Sequence, residues 1–331
     1  HLVDFGEFDC GVVDFTRAET REWFAERILG QEMLDIGISG WMADFGEALP
    51  YGAVLQGNQA GAELHNRYPE LWAQLNRELL DSLPNGHEIV FFNRAAFQHS
   101  PAYAALFWEG DQLVSWDRHD GIKSAVTGLL SGGISGFSLN HSDIGGYTAI
   151  NNPLARHIRS KELLMRWMEL SAFTTIYRTH EGNLPDSNAQ FYSDEDTLSH
   201  FDRMAKVYQA WAPLRKRLVE EAARNGMPVA RHLFLHYPDD PVTYQLSYQE
   251  FMLGSSILVA PVLDPGVDEI RVYLPAGDWV HLWTGRIFRT PYQGKWITID
   301  APLGQPGVFY KEGSQDGMEL RINLMHAGMI E

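Results

Sequence analysis

Apolar runs that predict buried β-strands alternate in this sequence with segments of helical periodicity, and several of the runs end in polar clusters. Residues 88–93 precede Arg94, residues 134–139 precede a cluster at 140–147, and residues 176–182 form a further strand end. Helical patterns fill residues 17–29, 61–83, 121–130, 162–173 and 198–225. This alternation is typical of a parallel β/α fold, in which the strand ends share one face. We therefore predict a parallel β/α fold, such as a (β/α)₈ barrel, with its polar clusters on that face.

Two strand ends carry a carboxylate in a similar context. Asp44 follows the apolar run 40–43, and Asp111 follows the aromatic strand end 107–108 after Glu109 and Gly110. Asp44 by itself is better explained as the N-cap of a following helix. A pair of carboxylates is what glycoside hydrolysis requires, because one attacks the anomeric carbon and the other transfers protons. The pair therefore predicts a glycosidase.

The segments Trp-Met-Ala-Asp-Phe-Gly-Glu at 41–47 and Phe-Trp-Glu-Gly-Asp-Gln at 107–112 resemble glycoside hydrolase family 31, the retaining α-glucosidase family. The resemblance implies that Asp44 is the nucleophile and Asp111 the acid/base. It also implies a substrate-binding set made up of Arg94, Trp108, Gln112, Asp143, Tyr147 and His180. For Arg94, an ion pair with a barrel carboxylate is the alternative. For His180, a structural role is the alternative.

Two residues of these segments resemble the sulfoquinovosidase branch of the family. Gln112 stands where ordinary α-glucosidases usually have Asn, and Tyr147 stands where they usually have Phe. A tyrosine hydroxyl can hydrogen-bond a sulfonate oxygen directly or through water, and phenylalanine cannot. The resemblance implies an exo-acting enzyme that releases sulfoquinovose from α-sulfoquinovosyl glycerol or diacylglycerol. An α-glucosidase or α-xylosidase of the same family is the alternative.

The composition changes near residue 239, where short strands between Pro and Gly turns replace the β/α pattern. This change predicts an all-β sandwich at 239–331 after a catalytic barrel portion at 1–238. The segments 272–279, 283–285 and 301–303 resemble the C-terminal domain of the same family.

In relatives a β-sandwich and the first barrel strands precede the segment at 10–29, so we expect an N-terminally truncated chain whose barrel begins at about the fourth strand. A shorter, self-contained variant is the alternative. The resemblance to the sulfoquinovosidase branch implies that the main sulfonate-binding residues, an Arg and a Trp, lie in that upstream part. A barrel without its first strands exposes strand edges, which favours aggregation. An inactive fragment is therefore one further alternative. A carbohydrate-binding protein that kept the pocket and lost the chemistry is another.

The amino-acid composition limits the classes of binding partner that this chain can have. The formal charge of −17 over 331 residues argues against nucleic acid and anionic membrane surfaces. No apolar run reaches the roughly 18–20 residues of a membrane span. The single Cys10 excludes an internal disulfide and suits a reducing compartment, which predicts a cytoplasmic location. The histidines lack metal-ligand spacing, so we predict no metal. The family resemblance implies that the partner is a small sugar glycoside and that no cofactor is needed. A homo-oligomer is left open.

Overall fold

The computed structural model describes residues 2–4 and 9–331 and divides the chain into two compact units. The first ends at Trp108 and the second begins at Glu109. The first unit opens with two short antiparallel strands and a helix that continues as a π-helix, namely β1 (Leu2–Asp4), β2 (Asp9–Gly11), α1 (Ala18–Trp23) and the π-helix Phe24–Leu34. The helix predicted at 17–29 therefore continues past its expected end.

Parallel strands with helices between them follow in the first unit. The strands are β3 (Gly40–Ala43), β4 (Val90–Asn93) and β5 (Leu106–Trp108), and the helices between β3 and β4 are α2 (Gly61–Leu64) and α3 (Tyr68–Ser82). The register pairs Ala43 with Asn93, and Asn93 in turn with Phe107. The carboxyl ends of β3 and β4 therefore lie side by side, and Asp44 and Arg94 are the residues that directly follow these two strand tips.

Helix α3 is fixed to β3 by a buried polar contact. Its first turn contains Pro69, which suits that position because a helix leaves its first N–H groups unpaired. Asn76, on the buried face of α3, accepts a 2.7 Å hydrogen bond from the indole of Trp41 and donates to the carbonyl of Trp72 at 2.8 Å. These bonds set how α3 lies against the strand that leads to Asp44.

The second unit begins with short strands and helices, namely α4 (Ile122–Ile134), β6 (Asn140–His141), β7 (Ile150–Asn151), β8 (Arg156–His157), α5 (Lys161–Ser171), α6 (Glu195–Ala210) and α7 (Ala212–Asn225). The strand predicted at 134–139 is wrong: α4 extends to Ile134, and Gly136, at φ +95°, turns the chain before β6. The single helix predicted at 198–225 is also wrong. The chain breaks at Trp211, whose indole donates to the Ala172 carbonyl at 2.7 Å, and Pro213 lies in the first turn of α7.

An antiparallel β domain completes the second unit. Its elements are β9 (Ala230–Arg231), β10 (Phe251–Leu253), β11 (Ile257–Ala260), β12 (Glu269–Leu274), β13 (Gly277–His281), β14 (Ile287–Thr290), β15 (Lys295–Asp300), β16 (Gly307–Lys311) and helix α8 (Gln315–His326). Six strands form one sheet in the order β14-β13-β16-β11-β10-β9, and β12 pairs with β15. The domain boundary predicted after residue 238 stays a prediction, and the large sheet already includes β9.

The central strands β10 and β11 of the large sheet are buried on both faces, which makes the β domain layered. Along β11, Ile257 and Val259 belong to the core shared with helices such as α5 and α7, whereas Leu258 and Ala260 belong to the core that contains Val272 of β12. Successive side chains of a strand point to opposite faces, so one strand serves both cores. The predicted β-sandwich is thus present as this sheet and the β12–β15 pair. Within the part of the chain that the structure describes, no helix is both long and apolar enough to cross a membrane.

Candidate active site

Asp44 lies directly past the end of β3, in a turn that fixes the direction of its carboxylate. The amide of Phe45 donates to Asp44 Oδ1 at 2.7 Å, and the indole of Trp72 donates to the Asp44 carbonyl at 3.1 Å. Phe45 has a φ of +59°, which residues other than glycine seldom adopt. A Cβ on Gly46 would lie 3.3 Å from Trp72. The Asp44 side chain is 39% exposed, so a substrate can approach it.

Arg94 contacts Asp44 from the neighbouring strand tip. Its Nε lies 3.4 Å from Asp44 Oδ1 and donates to Glu47 Oε1 at 2.9 Å. Its guanidinium carbon is 4.2 Å from the centre of the Phe45 ring. The expected alternative, an ion pair with a carboxylate, is thus observed, and one partner is the predicted nucleophile. A cation at this distance favours the ionised form of a carboxylate, while a contact of Arg94 with sugar stays a prediction.

In the second unit, Asp111 lies exposed on a loop that is hydrogen-bonded to the segment around Tyr147. The Thr148 hydroxyl donates to the Asp111 carbonyl at 2.8 Å. The amides of Tyr147 and Thr148 donate to the Gln112 carbonyl at 2.8 and 2.9 Å. These bonds hold Asp111 close to Tyr147. The sequence predicts that both residues act on the same sugar.

Two predicted substrate-binding residues are largely buried. In the first unit, Trp108 packs edge-to-face on Phe92 with ring centres 5.5 Å apart. In the second, the Gln112 amide nitrogen donates to Glu109 Oε2 and to the Ser124 hydroxyl, each at 3.3 Å. These contacts of Gln112 support the Asp111 loop from behind. Contact of either residue with sugar stays a prediction.

Glu109 lies close to helix α4 because that helix presents glycines to it. A Cβ on Gly128 would lie 2.6 Å from Glu109 Oε2, and one on Gly132 would lie 3.2 Å from the Asn140 amide nitrogen. That nitrogen also donates to Glu109 Oε1 at 3.4 Å. Burial raises the pKa of Glu109 well above its usual range, and the hydrogen bond from Gln112 partly opposes this. Burial therefore disfavours the charged form of the carboxyl group that lies beneath the Asp111 loop.

Asp143 is buried and forms an ion pair with Arg178. Burial raises its pKa, Arg178 and His180 lower it, and the carboxylate of Asp111 raises it further. The amide of Gly146 donates to the Asp143 carbonyl at 3.0 Å and closes a turn that leads to Tyr147. Asp143 therefore lies in the same charged neighbourhood as Asp111 and His180.

Tyr147 and His180 form a pair of rings at the edge of this neighbourhood. Their ring centres are 4.9 Å apart, and their planes are inclined by 81°. The amide of Gly182 donates to His180 Nδ1 at 3.0 Å, so the neutral imidazole carries its proton on Nε2. Both side chains are half-buried.

The structure thus brings Asp44 and Arg94 together in the first unit. In the second it brings together the predicted residues Asp111, Gln112, Asp143, Tyr147 and His180. Sequence analysis assigned no role to Glu47, Glu109 or Arg159. The contact between Glu47 and Arg94 could have been inferred from adjacent strand tips. Arg159, in contrast, binds main-chain carbonyls, which leave no trace in a residue pattern.

Across residues 2–4 and 9–331, no cluster of three or more His, Cys, Asp or Glu side chains is arranged to hold a metal ion. The chemistry of the described groups is that of carboxylates, a guanidinium and an imidazole. Such groups can attack an electrophilic carbon, transfer protons and bind hydroxyl or anionic oxygens.

Family comparisons agree with this arrangement. Residues 3–221 match the model of the glycosyl hydrolases family 31 TIM-barrel domain, and residues 226–314 match that of the family's C-terminal domain. The chain therefore belongs to glycosyl hydrolase family 31. The predicted family and the predicted fold class, a partial barrel followed by an all-β domain, are both confirmed.

Comparison with individual proteins shows which members of the family the chain is similar to. The chain is 48% identical to a sulfoquinovosidase of Agrobacterium fabrum and 47% identical to one of Escherichia coli, over 95% of its own length in each case. It covers 46% and 45% of those proteins, so it spans about half the length of the curated relatives that it matches. A solved structure of a family 31 sulfoquinovosidase from E. rectale, in complex with the aza-sugar inhibitor IFGSQ, superposes with a TM-score of 0.91 at 45% identity. That match covers 97% of this chain and 47% of the other.

Proposed function

We propose that the protein to which this chain belongs is a retaining, exo-acting α-glycoside hydrolase whose substrate is an α-sulfoquinovoside, such as sulfoquinovosyl glycerol or diacylglycerol. One observation carries the catalytic part of the proposal. Asp44 leaves a strand tip in a constrained turn, remains accessible, and faces a guanidinium 3.4 Å away. The names of the relatives support the substrate.

The reaction proceeds by double displacement. Asp44 attacks the anomeric carbon and forms a glycosyl ester while Asp111 gives its proton to the departing glycosidic oxygen. Asp111, now a carboxylate, takes a proton from water, and the resulting hydroxide displaces Asp44 and frees the sugar with its original anomeric configuration. The two carboxyl groups of such an enzyme are about 5–5.5 Å apart, which an experimental structure with bound inhibitor would measure.

Recognition of the sulfonate and of a sugar hydroxyl is assigned to the second unit, while sugar contacts of Arg94 and Trp108 in the first unit stay predictions. Tyr147 would bind a sulfonate oxygen through its hydroxyl, and His180 would donate from Nε2 to a sugar hydroxyl. The ion pair of Asp143 with Arg178 supports this loop. A cytoplasmic location and a homo-oligomeric state stay predictions.

The substrate test compares an aryl α-sulfoquinovoside with the matching aryl α-glucoside and α-xyloside. A higher kcat/KM for the sulfoquinovoside is the expected result. The reverse preference would identify an α-glucosidase or α-xylosidase instead. Binding of sulfoquinovose without any turnover by a cooperatively folded chain would point to a carbohydrate-binding protein. A chain that neither folds cooperatively nor turns over substrate would be an inactive fragment.

The catalytic test replaces each acid separately. Asp44→Asn should abolish turnover and preserve binding, and Asp111→Asn should lower turnover by about 10²–10⁴-fold. The matched control is Asp81→Asn on the surface of α3, where Asp81 pairs with Arg77 at 3.0 Å. Normal turnover in Asp44→Asn would show that another residue is the nucleophile.

A further inference from the structure

Arg159 is a buried cation in the second unit, with only 2% of the residue exposed. Its side-chain nitrogens are surrounded by oxygen acceptors from separate segments. They contact the carbonyls of Gly146 at 3.0 Å, His180 at 2.8 Å, Glu181 at 3.1 Å, Ala189 at 2.8 Å and Ile144 at 3.5 Å, and Gln190 Oε1 at 2.8 Å. A planar guanidinium can satisfy such acceptors simultaneously, whereas an ammonium group cannot reach them all.

The acceptors belong to the loops that carry the candidate recognition residues. Gly146 directly precedes Tyr147, and His180 itself accepts one of the shortest bonds. The guanidinium therefore fixes the distance between the loop that ends in Tyr147 and the loop that contains His180. The edge-to-face contact of these two rings, at 4.9 Å, lies just beyond this connection.

The aliphatic part of Arg159 also shapes the first of these loops. Gly145 adopts a φ of +89°, and a Cβ at that position would lie 2.4 Å from Arg159 Cδ. The loop is therefore wrapped tightly around this side chain. Burial lowers the pKa of Arg159 to about 10, so the group keeps its charge at neutral pH.

We propose that Arg159 is a positioning residue that sets substrate preference by holding Tyr147 against His180. It lies behind the loops and acts through these two residues rather than through contact with the sugar. The inference rests on the proposed function, because the two residues matter for preference only if they bind the sulfonated sugar. Displacing binding groups by about 1 Å can cost about 100-fold in rate.

The kinetic test uses Arg159→Gln and the milder Arg159→Lys, with Arg215→Gln as the matched control. Arg215 donates to the Tyr208 carbonyl at 2.8 Å and stacks on its ring. We expect Arg159→Gln to raise KM for the aryl α-sulfoquinovoside at least about tenfold, more than for the α-glucoside, with partial rescue in Arg159→Lys. A lower kcat with unchanged KM and unchanged preference would mean that Arg159 only stabilises the fold, and would overturn the proposal.

A second measurement needs no substrate. In the full chain labelled with ¹³C at histidine, the His180 ring signal, assigned with His180→Gln, should carry a ring-current shift from Tyr147. Arg159→Gln should reduce this shift, and Arg215→Gln should not. An unchanged shift in folded Arg159→Gln would overturn the proposal. If the unsubstituted chain fails to hydrolyse the sulfoquinovoside, the proposed function fails, while this measurement still decides whether Arg159 holds the ring pair.

Discussion

Asn93 and Ala43 are partners in the parallel register of β4 and β3, and the Asn93 side-chain amide donates to the Ala43 carbonyl at 3.0 Å. This is the last pair before both strands end. The residues that follow are Asp44 and Arg94, so one side-chain hydrogen bond joins the two tips from which the candidate nucleophile and its cation emerge.

Removing that bond should lower both stability and activity. Asn93 is fully buried, so Asn93→Ala loses a buried hydrogen bond, and we expect a loss of about 1–3 kcal/mol in unfolding free energy, measured by urea denaturation. Because the tips are no longer fixed to each other, kcat should fall as well. The control is Asn323→Ala, which removes a 2.8 Å bond to the Ala210 carbonyl far along the chain. If Asn93→Ala loses as much stability as Asn323→Ala but keeps an unchanged kcat, this role for Asn93 is contradicted.

Tyr147→Phe should reduce the preference for the anionic sugar. The ring, and with it the contact to His180, is kept, whereas the hydroxyl is lost. A hydrogen bond to a charged group contributes about 1.5–3 kcal/mol, so kcat/KM for the sulfoquinovoside should fall about 10–100-fold, and kcat/KM for the glucoside should change little. The control is Tyr244→Phe, an exposed tyrosine in the β domain whose hydroxyl donates to Pro238. Equal losses for both substrates would contradict a sulfonate contact.

Glu250→Gln should stabilise the protein at alkaline pH. Glu250 is buried beside β10, accepts the amide of Tyr273 at 2.8 Å, and burial raises its pKa to about 8. The folded state therefore binds this proton more tightly than the unfolded chain, whose glutamate pKa is about 4.3. The unfolding free energy should consequently decrease as pH rises from about 4.3 to about 8.

Measuring the unfolding free energy from pH 5 to 9 checks this effect. The glutamine variant should lose the part of the pH dependence that comes from residue 250. Its advantage over the unsubstituted chain should be greatest at the alkaline end. Glu220→Gln, at an exposed position on α7, is the control and should leave the profile unchanged. A variant whose profile parallels that of the unsubstituted chain would show that Glu250 ionises normally.

Glu169→Gln should be strongly destabilising. Glu169 and Arg166 form a buried ion pair at 3.0 Å, and Glu169 also accepts the amide of Gly304 at 2.6 Å. Breaking a buried pair from one side leaves the other charge uncompensated and costs about 3–5 kcal/mol. Thermal and urea unfolding check this value against Glu319→Gln, which breaks a surface pair with Arg217 and should cost less than about 1 kcal/mol. Similar losses in both variants would contradict the argument.

The sequence predicted the strand tips well because their signals are local. An apolar run that ends at Asp44 or Arg94 is visible without knowing its neighbours, and so is the alternation with helices. The break at Trp211 was not visible, because the helical pattern continues across it and Pro213 is tolerated in a first helical turn. The role of Arg159 depends on carbonyls more than ten residues away, which residue types do not encode.

The continuation of the first helix to Leu34 and of α4 to Ile134, where a strand was predicted, have the same origin. Periodicity indicates which residues are buried, but it does not determine how far a helix extends. In α4 the apolar pattern continues to Ile134, so the helix continues with it, and only Gly136 reverses the chain. Strand β6 begins only at Asn140, four residues beyond Gly136.

Helix α4 reverses the usual rule for glycine in helices. Replacing a glycine within an exposed helix by alanine normally gains up to about 1 kcal/mol, because alanine restricts the unfolded chain. In α4 a methyl group at position 128 would meet the Glu109 carboxyl group, and one at 133 would lie 2.9 Å from the Pro228 ring. The glycines therefore lower the intrinsic stability of α4 but let it pack closely against Glu109 and Pro228. Replacing them by larger residues, as consensus design would, should push α4 away from the loop that carries Asp111.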